Sequence, residues 1–242
     1  MNVIGVIPAR YESSRFPGKP LADILGKSMI QRVYEQCVAS TLMDVVIVAT
    51  DDQRIFDKVE EFGGRVKMTR SDHISGTDRI AEVAADFDEA DIIINIQGDE
   101  PMIDPAQIDQ LVSMIKDKAA DIGTLGRWID DDYAINNPNV VKVISDTSGK
   151  AKYFSRATIP FKRSDKAIKY LQHIGIYGFR NEILQQLTTL APSDLEQSES
   201  LEQLRWLENG YDIYIEMSDY LNIGVDTPAD LEHIVNLLKE QR

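Results

Sequence analysis

Short apolar runs alternate with amphipathic stretches through the first half of the chain. The apolar runs are rich in Val and Ile, as strands buried on both faces are, and they lie at 3–7, 45–49 and 92–96. Between and after them, apolar residues recur at helical spacing at about 28–40, 52–62, 78–87 and 105–116. This alternation predicts βαβ units, and therefore an α/β fold with a mostly parallel sheet and helices on both faces.

The pattern changes after about residue 120. Strand-like segments now follow one another, with turn signals such as Asn137-Pro138 and Ser148-Gly149 between them, at about 121–128, 139–145, 151–155 and 173–179. They predict an antiparallel arm at about 121–180 within a single domain of 1–242. Helices at 181–190, 198–208 and 228–240 and strands at 211–216 and near 222–225 complete the chain, and Asn209-Gly210 is expected to end the second of these helices.

Composition narrows the class of protein. The chain has 242 residues, of which 43% are hydrophobic and 27% charged, and this is a globular composition. No apolar run approaches the roughly 18 residues of a membrane span, and no basic segment precedes the first strand, so we expect a soluble, cytoplasmic protein without a membrane partner. The lone Cys37 is expected to be buried, with Val33 and Val38, on one helix face.

The charge balance restricts the partners. There are 26 basic and 40 acidic residues, for a net charge of -14, which repels nucleic acid and anionic surfaces. An anionic substrate therefore requires a local cluster of cations or a metal ion.

The loop after the first strand supplies such a cluster. Arg10, Arg15 and Lys19 fall within ten positions, and the small residues among them would let backbone N–H groups approach phosphate oxygens; these are Ala9, Ser13, Ser14 and Gly18. In an open α/β sheet, ligands bind outside the carboxyl ends of the strands, where this loop begins. A nucleoside triphosphate fits this chemistry, although the spacing is neither that of a P-loop nor that of a dinucleotide-binding loop. The alternative is a solvated basic loop.

Two aspartates follow apolar runs in a similar way. Asp99 comes after the third run and Gly98, and Asp226 comes after Val225, just before the expected helix cap at Thr227. Carboxylates facing a triphosphate suit Mg²⁺, which takes oxygen ligands and often only one or two carboxylates together with phosphate oxygens. The alternatives are a turn residue for Asp99 and a capping residue for Asp226.

Three motifs carry a resemblance to a known family. Pro8-Ala9-Arg10, Arg15 and Pro17-Gly18-Lys19-Pro20-Leu21 resemble the loop of sugar nucleotidyltransferases, and more closely that of cytidylyltransferases for acidic sugars. Segments 95–103 and 224–232 resemble two signatures of the 3-deoxy-manno-octulosonate cytidylyltransferase family. The resemblance implies a Rossmann-like nucleotidyltransferase sheet and a homodimer.

The resemblance also implies the nucleotide side of the site. Arg10 and Lys19 would contact the triphosphate of CTP, and Asp99 and Asp226 would hold Mg²⁺; these four residues are the expected catalytic set. The full nucleotide-binding set is expected to be Arg10, Arg15, Lys19, Thr50, Asp51, Ser75 and Gly76. Ser75 before a helix is also an ordinary N-cap, and that alternative stays open.

The sugar side is implied by 153–160, 173–177 and 201–207. The expected contacts to the acidic sugar are Gln97, Arg156, His173, Tyr177, Glu202 and Gln203. The planar fork of Arg156 suits a carboxylate. A histidine such as His173 is also compatible with a core position, and Glu202 and Gln203 with a solvated helix face.

The implied reaction transfers CMP from CTP to the anomeric hydroxyl of 3-deoxy-D-manno-octulosonate (KDO) or of its 8-amino analogue, for lipopolysaccharide biosynthesis. Pyrophosphate would leave by direct displacement, because the sequence offers no arrangement for an enzyme nucleophile. Departures from the family pattern leave the acceptor open: a short connection at 161–171, Gln172, Ser198 and Ser200. The alternatives are a cytidylyltransferase for a sialic-type acid or a polyol phosphate, and a nucleotide-binding protein without catalysis.

Overall fold

The computed structural model describes residues 1–13, 15–118, 120–165, 167–220 and 223–240. Over these residues the strands are β1 (Asn2–Ala9), β2 (Asp23–Ile24), β3 (Lys27–Ser28), β4 (Val45–Thr50), β5 (Val66–Met68), β6 (Ala90–Asn95), β7 (Ile122–Ile129), β8 (Lys142–Ser145), β9 (Ala151–Ser155), β10 (Tyr170–Arg180) and β11 (Ile213–Met217). The helices are α1 (Met29–Val38), α2 (Gln53–Glu61), α3 (Gly76–Ala84), α4 (Pro105–Lys118), α5 (Asp132–Asn136), α6 (Asn181–Leu187), α7 (Asp194–Glu199), α8 (Gln203–Glu208) and α9 (Pro228–Glu240).

The chain forms two compact units. Unit 1 comprises Met1–Val112 and Tyr220–Arg242, and unit 2 comprises Ser113–Asp219. The single domain with an arm at 121–180 stays a prediction. Ser14 and Asn222, which the sequence places in the first loop and in a strand, lie outside the described residues.

Unit 1 is built on a parallel sheet, as the alternating pattern predicts. Its strands lie in the order β6, β1, β4, β5, and all three pairings are parallel. The side chains of β1 and β6 are buried almost throughout, which explains why both strands are apolar without alternation. Because the strands are parallel, the loops that follow Ala9, Thr50 and Asn95 leave the sheet at one edge.

The carboxyl-terminal segment completes unit 1. Helix α9 has the predicted bounds, and Thr227 caps it: its Oγ1 accepts a hydrogen bond from Asp230 N at 3.3 Å. The strand predicted near 222–225 is wrong for 223–225, which lie outside any strand. Val225 is instead fully buried in an apolar cluster with Ile234, against which Phe16 packs.

Unit 2 contains the antiparallel pairings that the sequence predicts. Strand β10 pairs antiparallel with β7 and β8, and β8 pairs antiparallel with β9, while β11 adds a parallel pairing to β7. Helix α5 was not predicted, because its five residues are too few to show a helical period. Asp131 begins it by accepting a hydrogen bond from Ala134 N at 2.8 Å.

The single helix predicted at 198–208 is wrong, since two short helices occupy this part of unit 2. Ser193 and Glu196 form a capping box that starts α7 earlier, and Ser200, with φ of 51°, ends it in the left-handed region. The predicted end at Asn209-Gly210 is confirmed: Asn209 is the C-cap of α8, and Gly210 has φ of 83°.

Two smaller expectations concern burial and membranes. Cys37 is fully buried as predicted, whereas Val38 is 57% exposed, because it lies at the end of α1 beyond the buried stripe. Among the described residues, no helix is both long enough and apolar enough to cross a bilayer.

Candidate active site

A cleft of about 370 Å³ opens at the carboxyl edge of the unit 1 sheet. It lies within the size range of small-molecule sites. Six of the predicted site residues line it together: Arg10, Arg15, Lys19, Gln97, Asp99 and Asp226. The structure therefore brings these six residues together at one edge of the sheet.

The first loop has a fixed backbone beside the cleft. Gly18 has φ of 72°, and its N–H donates to Tyr11 O at 2.9 Å. A Cβ at Gly18 would lie 3.1 Å from the Tyr11 ring, so glycine is favoured by both conformation and space. Lys19 then begins a 3-10 turn whose next residue, Pro20, is buried.

Four charged side chains of the cleft, from the first loop and from the two aspartate segments, form one network of ion pairs. Lys19 Nζ lies 2.6 Å from Asp99 Oδ2 and 3.5 Å from Asp226 Oδ1. Arg15 Nη2 lies 3.0 Å from the same Asp226 oxygen. The side chain of Lys19 is 14% exposed, that of Asp99 30% and that of Asp226 51%. Both carboxylates are thus paired with the same ammonium group, and both are partly exposed to solvent.

Backbone contacts bring the two aspartates to this place. A Cβ on Gly98 would lie 2.9 Å from Pro8 O, so glycine lets the loop after β6 pass close to the end of β1. Val225 N donates to Asp99 O at 2.9 Å, which ties the segment before Asp226 to the same loop.

Asp226 does not cap α9. Asp230 Oδ2 accepts hydrogen bonds from Asp226 N at 3.1 Å and from Thr227 N at 2.8 Å. Burial tends to raise the pKa of Asp230, but hydrogen bonds from Thr227 outweigh it and lower this pKa. Because Thr227 and Asp230 satisfy the helix start, the Asp226 carboxylate is turned to the cleft, and its capping alternative is removed.

Arg10 joins the first loop to the segment before α3. Its Nη2 donates to His73 O at 3.0 Å. The ring of His73 in turn makes a short contact with Glu82 on α3. Burial tends to raise the pKa of Glu82, but the hydrogen bond from His73 helps to lower it.

The other predicted nucleotide-side residues lie in unit 1 but do not line the cleft. Thr50 is fully buried, and its Oγ1 accepts from Asp52 N at 3.2 Å. Ser75 is the N-cap of α3, with its Oγ accepting from Asp78 N at 3.0 Å, so the capping alternative is the observed one. Gly76 begins the same helix.

Asp51 is held by a residue that the sequence did not single out. The fully buried Arg79 places Nη2 2.7 Å from Asp51 Oδ2 and Nη1 2.5 Å from Thr69 Oγ1. Arg79 thereby connects α3 with the loops after β4 and β5. A buried charge must be paired, so an arginine on the apolar face of a helix is the signal that would have found this contact.

The sugar-side residues all lie in unit 2, except Gln97. His173 Nε2 lies 3.0 Å from Thr124 Oγ1, and the ring contacts Phe154 edge-on. Burial lowers the pKa of His173 from 6.5 to about 3, which leaves the imidazole neutral near pH 7. His173 is therefore a neutral, partly buried hydrogen-bonding group and not a cation.

Tyr177 lies beside His173 in an aromatic cluster with Phe179 and Trp206. Its hydroxyl is buried and has no hydrogen-bond partner among the described residues. Burial, followed by the charge of Glu202, raises the pKa of Tyr177 well above 10. A buried hydroxyl without a partner is costly, and it is a natural position for a ligand oxygen.

The guanidinium group of Arg156 donates hydrogen bonds to three backbone carbonyls. Its Nε, Nη1 and Nη2 donate to Glu199 O at 2.7 Å, to Pro138 O at 3.1 Å and to Ser200 O at 3.2 Å. Gln203 is buried together with Leu204 and Trp206 of α8, contrary to its expected position away from the apolar face of the helix.

Metal-ligating side chains are few. Among the described residues, no group of three or more His, Cys, Asp or Glu side chains could hold a metal ion. Asp99 and Asp226 are an oxygen donor pair that fits Mg²⁺, provided that substrate or water oxygens complete the coordination.

Comparisons with known proteins agree on one family. The family model for cytidylyltransferases matches residues 4–213. The 3-deoxy-manno-octulosonate cytidylyltransferase of Solibacter usitatus is 50% identical over 240 residues, covering 98% of this chain and 95% of that protein. That of Geotalea daltonii is 47% identical over 253 residues, covering 100% of both.

A solved structure described as CMP:2-keto-3-deoxy-manno-octonic acid synthetase complexed with CTP is similar over 100% of both chains, with a TM-score of 0.95 and 46% identity. The mostly parallel α/β fold is thus that of the nucleotidyltransferases, as predicted. The chain is an enzyme of the cytidylyltransferase class and belongs to the 3-deoxy-manno-octulosonate cytidylyltransferase family.

Proposed function

We propose that this protein transfers CMP from CTP to the anomeric hydroxyl of KDO and releases pyrophosphate. The observation that carries the proposal is the cleft of unit 1, where three cations of one loop meet two carboxylates at the carboxyl edge of a parallel sheet. The names of the full-length relatives support KDO as the acceptor.

Asp99 and Asp226 would hold Mg²⁺ in this cleft. Their oxygens already converge on one positive nitrogen, so the donor set suits a cation. When bound with the nucleotide, the ion supplies charge neutralisation at the phosphates and acidifies a coordinated hydroxyl.

The chain's own residues would act by alignment and by charge. In the reaction, the sugar oxygen forms a bond to the α-phosphorus as the bond to the bridging oxygen of the β-phosphate breaks; pyrophosphate leaves with that electron pair, and the hydroxyl proton passes to water. Arg10, Arg15 and Lys19 would stabilise the charge that develops on the pyrophosphate. Thr50, Asp51, Ser75 and Gly76 would line the nucleoside side, where backbone groups can bind the cytosine edge.

The acceptor would be bound by neutral and charged groups together. His173 and Tyr177 would form hydrogen bonds to sugar oxygens. The buried Tyr177 hydroxyl has no hydrogen-bond partner among the described residues. Glu202, Gln203 and Gln97 would contact sugar hydroxyls. Arg156 would bind the carboxylate through N–H groups beyond those given to carbonyls, since a guanidinium carries five.

The 8-amino analogue of KDO is a second candidate acceptor. Gln172 directly precedes His173 on β10, at a position where the family resemblance leads us to expect a basic residue. Ser200, another departure from the family pattern, is the C-cap of α7. A neutral glutamine in place of a basic residue at position 172 would favour an acceptor that carries its own ammonium group.

The physiological setting is part of the proposal. We expect the enzyme to work in the cytoplasm, where CTP is available, to supply an activated sugar for lipopolysaccharide, and to form a homodimer. Light scattering after size-exclusion chromatography would measure the mass of the particle, and a particle of a single 27.3 kDa chain would contradict the dimer.

Pyrophosphate release with CTP and Mg²⁺ tests the function. We expect release with KDO or its 8-amino analogue, and the acceptor with the larger kcat/KM is the substrate. Faster release with a sialic-type acid or a polyol phosphate would overturn the sugar assignment. CTP binding without release for any acceptor would support a non-catalytic nucleotide-binding protein.

A further inference from the structure

The position of Lys19 is unusual for a residue expected to contact phosphate. Its ammonium group lies against both Asp99 and Asp226, at 2.6 and 3.5 Å. These are the two carboxylates proposed to hold a divalent cation. A single ammonium group is therefore already paired with both carboxylates that the cation would use.

Only the side chain of Lys19 is free to leave this position. Gly18 and Pro20 fix the backbone on either side, through a left-handed φ and a locked proline ring. A lysine stem has four rotatable bonds, so its ammonium group can move several ångströms without any change in the loop. Arg10 and Arg15 line the same cleft, so two other cations remain there for the phosphates wherever the Lys19 ammonium group lies.

We propose that Lys19 is an internal cation that competes with the divalent ion for Asp99 and Asp226, and that a bound nucleotide relieves this competition by drawing the ammonium group to its phosphates. The proposal rests on the CTP site proposed above. It makes metal and nucleotide binding mutually dependent, because each removes an obstacle to the other.

The electrostatics give the direction of the effect. With Lys19 in place, a free divalent ion must break one ion pair of 2.6 Å before it reaches Asp99. Arg15 remains on Asp226 at 3.0 Å, but its side chain is 58% exposed, so solvent screens it more strongly. Lys19 is the larger obstacle.

Calorimetric titration of Mn²⁺ into the nucleotide-free protein tests the competition. We expect Lys19→Met to bind Mn²⁺ about tenfold more tightly than the wild type, since a positive charge is removed within about 4 Å of the site. Lys19→Arg keeps the charge and should bind as weakly as the wild type. Lys27→Met is the matched control, because Lys27 pairs with Glu35 at 2.6 Å outside the cleft.

Three results would overturn the proposal. They are unchanged or weaker Mn²⁺ binding by Lys19→Met, equal tightening by Lys27→Met, and tightening by Lys19→Arg as large as that by Lys19→Met. The side chains of Asp99 and Asp226 are 30% and 51% exposed, so water can solvate both carboxylates when Lys19 is replaced. An unchanged thermal transition of the variant would verify that it is folded.

A reciprocal titration uses CTP in the presence of EDTA. Asp99→Asn removes the shorter of the two ion pairs that hold Lys19, so we expect it to bind metal-free CTP at least about fivefold more tightly than Glu12→Gln, which removes an equal charge from the same cleft. Equal gains would contradict the exchange. The Mn²⁺ titration needs neither CTP nor sugar. A protein that shows the Mn²⁺ effect but binds no CTP would therefore overturn the proposed function and the role of the nucleotide, and leave the competition standing.

Discussion

The cleft of unit 1 and the aromatic cluster around His173 and Tyr177 in unit 2 are built on opposite principles. The cleft places charged side chains in contact with water. Asp226, for example, is 51% exposed and forms ion pairs with Arg15 and Lys19. The aromatic cluster places neutral polar groups among rings, and there the Tyr177 hydroxyl has no hydrogen-bond partner among the described residues.

Because of this difference, substitutions in the two regions should have different effects on activity and on stability. Exposed ion pairs contribute little to folding, so changes in the cleft should alter binding and turnover and leave the fold intact. Buried polar groups that are hydrogen-bonded within the fold are coupled to packing, so changes to such groups in unit 2 should affect the free energy of unfolding as well. The following predictions test this contrast in order of decreasing effect.

The largest effect is expected for Asp99→Asn, which removes a charge from the cleft. Turnover at saturating Mg²⁺ should fall about 1000-fold, or about 4 kcal/mol, because a carboxylate ligand for the cation is lost. The melting temperature should hardly change. Asp91→Asn, at an exposed position on β6, the strand that precedes the Asp99 loop, is the control, and normal turnover by Asp99→Asn would remove the metal assignment.

Lys142→Met tests the buried side of the contrast. The fully buried ammonium group of Lys142 donates to Val140 O at 2.6 Å, Arg156 O at 2.8 Å and Asn137 O at 3.0 Å. We expect a loss of about 2 kcal/mol in the free energy of unfolding, since the carbonyls lose their donor. Lys152→Met, at an exposed ion pair, should cost less than about 0.5 kcal/mol. Equal urea midpoints for the two variants would refute the distinction.

Tyr177→Phe removes the unpartnered hydroxyl. The KM for the sugar should rise about tenfold, equivalent to about 1.4 kcal/mol, with no loss of stability, because the buried hydroxyl makes no described hydrogen bond. Tyr170→Phe on the same strand is the control. An unchanged KM, or a large drop in stability, would show that the hydroxyl serves the fold and not the sugar.

His173 provides a pH test. Its pKa is lower in the folded chain than in the unfolded one, so the unfolded state binds more protons between pH 6.5 and about 3. Stability is complete above pH 6.5 and falls as the pH drops below that value, by about 1 kcal/mol per unit. Urea midpoints at pH 7, 6 and 5 should show a smaller slope for His173→Gln than for His233→Gln, whose side chain is exposed. Identical slopes would contradict a neutral, buried imidazole.

The smallest effect is expected for Arg15→Gln. Its ion pair with Asp226 is exposed, so stability should change by less than about 0.5 kcal/mol. The KM for CTP should rise only a few-fold, and added salt should narrow the difference. A loss of turnover as large as that of Asp99→Asn would show that Arg15 has a direct role in the chemical step.

The same contrast explains what the sequence could predict. Cations such as Lys19 and carboxylates such as Asp99 stand out after apolar strands, and parallel strands bring their ends to one edge, so the cleft could be located. The sheet of unit 1 could be predicted as well, because its strands and helices alternate regularly along the sequence.

The residues that pattern reasoning missed are buried polar groups. The side chain of Arg79 pairs with Asp51 across 28 positions, and that of Lys142 satisfies carbonyls of turns that have no periodicity. The break between α7 and α8 depends on one left-handed residue, Ser200, which is not a residue type that signals such a conformation. These contacts follow from packing and not from local pattern.

Isotope exchange tests the central claim, which is direct displacement at the α-phosphorus with KDO as the nucleophile. The enzyme is incubated with Mg²⁺, CTP and labelled pyrophosphate, with and without KDO, and label entering CTP is measured. Direct displacement predicts exchange only when KDO is present. Exchange without sugar would show a cytidylylated enzyme, and no exchange with KDO would show that this protein does not transfer CMP to that sugar.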